Sequence, residues 1–120
     1  MGYGMAWWRY KNINEQDHIA VCEAIFTNKK STFLADLPTT QIKQEITAKM
    51  PSDWKLIDDR QHESTWEGPL GSVQISWSDQ CIIASMYGNF VDGAITMDEV
   101  LTKLNIPRYD PQTGEREGTD

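Results

Sequence analysis

The sequence predicts an α+β fold: an antiparallel sheet of about four to five strands with three helices packed mainly on one face. Three observations carry this expectation. Ser72 to Trp77 alternates, with Val73, Ile75 and Trp77 on one side and Ser72, Gln74 and Ser76 on the other, and Ser78-Asp79-Gln80 turns the chain into the apolar run Cys81 to Tyr87. Three other segments carry apolar residues at helical spacing, each behind a capping residue or ahead of a proline. Their order, strand, helix, turn, helix, four strands, helix, fits a sheet covered by helices on one side.

The aromatic density of Met5 to Lys11 favours a strand, with Trp8 and Tyr10 pointing away from Trp7 and Arg9. Asn14 can cap a first helix running to about Lys30, helped by Asp17 three residues on. Ile19, Cys22, Ile25 and Phe26 form its apolar face, widened by Val21, while Lys29 and Lys30 suit the negative end of its dipole. Ser31 to Thr39 reads as a connector ended by Pro38. Thr39 or Thr40 opens a second helix through Met50, with Ile42, Ile46 and Met50 on one face and Pro51 as its stop. Strands follow at Trp54 to Asp58 and Ser64 to Glu67, separated by a polar stretch, and Gly68-Pro69-Leu70-Gly71 turns into the hairpin. After Gly88-Asn89, Phe90 to Gly93 reads as a structured loop. Thr96 then caps a third helix, which carries Met97, Val100, Leu101 and Leu104 and stops at Pro107.

A chain of 120 residues and 13.7 kDa holds one core. The expected domain spans 1–108, and 109–120, which has one aromatic and no aliphatic side chain, is expected to be a flexible acidic tail. Five Trp, four Tyr, three Phe and five Met supply enough apolar surface to need no metal or disulfide. No apolar run approaches the 18 or more residues of a membrane span, and the N-terminus has no export pattern, so a cytoplasmic setting is expected. Cys22 and Cys81, each among apolar neighbours, read as free buried thiols. Eighteen acidic against eleven basic side chains give a net charge of −7, which disfavours nucleic acid and anionic membranes and favours a basic protein partner. A homodimer is the other association that the sequence admits.

His62 lies among Asp58, Asp59 and Glu63, where neighbouring carboxylates favour a protonated imidazole. Cys81 with His62 and Asp79 or Asp92 supplies the residue types of a thiol nucleophile, base and orienter, and such triads assemble in space rather than in sequence. Against this, Cys81 opens an apolar strand, and no helix N-terminus is expected beside it to lower its pKa. No zinc, calcium-loop or phosphate-loop pattern occurs, so no metal or cofactor is expected. The surplus of indoles carries the other signal. So many Trp crowd a small core, and one or two should reach the surface as anchors. The leading expectation is a non-enzymatic interaction domain, of the inhibitor, immunity-type or accessory kind. Its docking face would hold Trp54, Asp58, Asp59, Glu63, Trp66 and Glu67. The alternative is a small hydrolase using His62 with nearby carboxylates or Cys81.

Overall fold

The structure, a computed structural model, describes residues 3–12, 14, 16–27 and 29–117. Three helices and a seven-stranded antiparallel sheet account for most of them. The elements in chain order are β1 (Tyr3–Trp8), α1 (His18–Phe26), α2 (Thr39–Lys49), β2 (Lys55–Asp59), β3 (Glu63–Glu67), β4 (Gly71–Trp77), β5 (Cys81–Gly88), α3 (Val91–Lys103), β6 (Arg108–Asp110) and β7 (Glu115–Glu117). The strands lie in the order β2-β3-β4-β5-β1-β6-β7. Helices and an antiparallel sheet are thus as the sequence predicts, but the strand count is higher.

The two extra strands come from the segment expected to be a tail. Arg108 and Tyr109 pair with Trp7 and Ala6 of β1, and β7 pairs back onto β6, so the expected boundary after residue 108 falls inside a strand. Tyr109 is buried, and Arg116 Nη2 donates to the Trp8 carbonyl at 2.8 Å. Residues 118–120 lie outside the described part.

Alternation along β1 and β5 divides the apolar residues between two cores. Trp7, Ile82, Ala84 and Met86 point to one face, where α2 and α3 pack on each other and on the sheet through Ile42, Ile46, Met97, Val100 and Leu101. Ala6, Trp8 and Cys81 point to the other, where Val21 and Ile25 of α1 join Tyr10, Leu34 and Tyr109. Two helices therefore share a face, and α1 covers part of the reverse.

Helix boundaries also move. Asp17, not Asn14, caps α1 by accepting from the Ala20 N–H at 3.0 Å, and the helix ends at Phe26, short of Lys29 and Lys30. Its buried face is Val21 and Ile25, while Ile19 and Phe26 face solvent. The expected loop at Phe90 to Gly93 is the first turn of α3, with Phe90 in the cap position and the Thr96 hydroxyl donating to the Asp92 carbonyl inside the helix. At its far end Asn105 takes a positive φ of 59°, and the Ile106 N–H returns to the Leu101 carbonyl, closing the helix in the left-handed manner. Among the described residues no helix is long and apolar enough to cross a membrane.

Candidate functional site

Cross-strand register fixes which side chains share the reverse face of the sheet. One row across β2 to β5 reads Lys55, Glu67, Ser72, Tyr87. The next reads Asp58, Thr65, Gln74, Ser85 and reaches Gly4 of β1. A third reads Glu63, Ser76, Ile83 and passes through Ala6 to Tyr109. The β1 and β6 end of this surface lies in the α1 core, whereas Asp58, Glu63, Thr65, Glu67, Ser72, Gln74 and Tyr87 are all half-buried or exposed. The β2–β4 side is thus an open, polar sheet face, because α1, only nine residues long, covers just the β1 side.

Three of the sequence-predicted docking residues, Asp58, Glu63 and Glu67, come together here. Asp58 pairs with the exposed Arg60 at 3.3 Å, and Glu63 accepts a hydrogen bond from the Gln74 amide. Glu67 has no ion pair among the described residues.

Asp59 lies elsewhere, because a register shift between Leu56 and Asp58 leaves it paired with Ser64 on the covered face. Its carboxylate accepts from Ser64 Oγ at 2.9 Å and meets Lys43 Nζ of α2 at 2.7 Å. The Lys43 hydrogen bond, then that of Ser64, holds its pKa below the usual carboxylate value.

Trp54 and Trp66 do not serve as exposed anchors. They are 5% and 6% exposed, and Trp7, Trp8 and Trp77 are buried as well. A Cβ on Gly68 would overlap the Trp54 ring and one on Gly93 would lie 3.0 Å from it, so two glycines create the slot that takes this indole. Trp77 Nε1 donates to Ser64 Oγ at 2.9 Å, and the Arg116 guanidinium stacks 4.8 Å over Trp8. The exposed aromatic on the open face is instead Tyr87, 46% accessible. Its signal was the alternation of β5: with Ala84 and Met86 facing inward, Ser85 and Tyr87 must face out.

The residues proposed for catalysis converge at one end of the same face. His62, Asp79 and Cys81 all line a cleft of about 480 Å³ between the C-terminal end of α1 and the β4–β5 turn. Lys29 and Lys30 stand at it too, close to Ile25 and Ile83. Asp92, the other orienter considered, lies in the first turn of α3 and is not among the cleft residues. Burial pushes the Cys81 thiol pKa up, only partly offset by Ser78, whose Oγ lies 3.2 Å from Sγ. Cys22 is likewise raised by burial, and both cysteines are free. Among the described residues no group of three His, Cys, Asp or Glu side chains is placed to hold a metal ion. Compared with known proteins, the chain matches no family model and no curated sequence.

Proposed function

We propose that this chain is a non-enzymatic interaction domain, of the inhibitor, immunity-type or accessory kind, that docks a basic protein on the open face of its sheet. The observation that carries the reading is the placement of Asp58, Glu63 and Glu67 on one uncovered face with Tyr87 at its edge. A face of half-buried polar groups loses little on desolvation when the partner returns hydrogen bonds, and its three carboxylates, set against Lys55 and Arg60, favour a basic surface. Tyr87 supplies the rigid aromatic contact first assigned to Trp54 and Trp66. A cytoplasmic setting agrees with the two free thiols.

Capture from source lysate by the wild type and by an Asp58→Asn/Glu63→Gln/Glu67→Gln variant tests the proposal. The wild type should retain one basic protein in stoichiometric amount at low salt and release it at high salt, and the variant should retain none. Equal capture by both proteins would refute the docking face.

A second reading, a small hydrolase using His62 with Asp79 and Cys81, is favoured by the presence of all three at one cleft. The raised thiol pKa counts against it. Hydrolysis of activated esters that is lost in both His62→Ala and Cys81→Ala would support it, and turnover no faster than in buffer would dismiss it.

A further inference from the structure

The cleft at the end of α1 has a character opposite to that of the rest of the molecule. The chain carries a net charge of −7, yet among the described residues the charged ones lining the cleft are Lys29 and Lys30 against the carboxylate of Asp79. Neither lysine forms an ion pair among the described residues, and both are exposed. Apolar surface comes from Ile25 and Ile83, with Cys81 beside them.

Much of the remaining wall is already committed. Gln80 accepts from the Ser31 N–H at 3.0 Å and donates to the Ser31 carbonyl at 2.9 Å, tying the connector after α1 to the β4–β5 turn. Ser78 Oγ is engaged with the Cys81 backbone. The frame is therefore preformed, and the side chains left to meet a ligand are two ammonium groups, an imidazole, the Asp79 carboxylate, the Ser76 hydroxyl and apolar surface.

We propose that this cleft binds a small organic anion, a carboxylate carried on an apolar or aromatic body. Its volume of about 480 Å³ lies within the range of small-molecule sites, roughly 300–1,000 Å³. The aromatic body would lie against Ile25 and Ile83, and the carboxylate would sit between Lys29 and Lys30. A free inorganic anion would leave the apolar wall unused, and a cation would meet two ammonium groups against the one carboxylate, Asp79, among the described lining residues. The inference is independent of the docking face, which uses none of these residues.

NMR titration with 2-naphthoate, and in parallel with 2-naphthylmethylamine, tests it. The rings match and the charges are opposite. Naphthoate should give saturable shifts at Ile25, Ile83 and the Cys81 amide, and the amine should bind at least tenfold more weakly. Lys29→Gln/Lys30→Gln should weaken naphthoate about fivefold or more, the size of loss expected of two exposed charge contacts. Ser76→Phe, at an exposed position, should block the cleft while the rest of the spectrum stays dispersed. The Asp58→Asn/Glu63→Gln/Glu67→Gln variant should bind naphthoate at least as tightly as the wild type, which separates this site from the docking face. No saturable shift in the cleft, equal binding of the amine, or unchanged affinity in the double-lysine variant would overturn the proposal.

Discussion

Ser64 is 1% exposed and joins the core to the surface. It accepts the Trp77 indole N–H and donates to Asp59, which in turn holds Lys43 of α2. Ser64→Ala leaves the buried indole N–H unpaired and should cost about 1–3 kcal/mol in denaturant unfolding. The Asp59 carboxyl adds a pH dependence. Its folded pKa is depressed, so its contribution is present above the unfolded value of about 3.9 and is lost as pH falls through the folded value. Stability of the wild type should therefore fall below about pH 4 more steeply than that of Asp59→Asn, and matching slopes in urea titrations would contradict this. At this scale the sequence was half legible. Counting indoles predicted crowding, but it could not register the space that Gly68 and Gly93 give Trp54, nor that Asp98 lies 3.4 Å from Trp7 Nε1. Partners distant in sequence absorb what composition alone reads as surplus.

Elements with dense periodicity were read well, and those held by distant contacts were not. The hairpin of β4 and β5 and the Ile42, Ile46, Met50 stripe of α2 stand close to where alternation and i, i+4 spacing put them. The β6–β7 hairpin was missed because its support is nonlocal. Strand pairing satisfies its backbone, and Arg116 reaches a carbonyl 108 residues away while stacking on Trp8 and Tyr10 at 4.8 and 4.9 Å. Arg116→Ala should destabilise the domain by about 1–2 kcal/mol and raise the solvent exposure of Trp8, seen as a red shift in Trp emission. An unchanged unfolding midpoint would mean that the hairpin adds nothing to the fold. In α1 the Asn14 cap was a reasonable reading of residue type, but Asp17 takes the role because it directly precedes the turn that buries Val21.

The whole molecule sets a sheet with one face sealed by α2 and α3 against a reverse face that α1 only half covers. That asymmetry was beyond the sequence, since periodicity shows that a strand has two faces but not which helix crosses over which. It separates the six predicted docking residues: Trp54, Asp59 and Trp66 belong to the sealed side, and Asp58, Glu63 and Glu67 to the open one. Charge reversal on the open side should consequently affect binding and leave folding intact, because Glu67 and Asp58 support no buried contact among the described residues. Asp58→Lys/Glu67→Lys should unfold within about 0.5 kcal/mol of the wild type, as surface substitutions do. The most direct test of the docking face is carboxyl-group footprinting by carbodiimide labelling, comparing the free domain with its captured complex. Protection confined to Asp58, Glu63 and Glu67, with Asp53 and Glu99 labelled equally in both states, is the predicted result. Protection centred on the α2 and α3 side, with the open face still labelled, would contradict it.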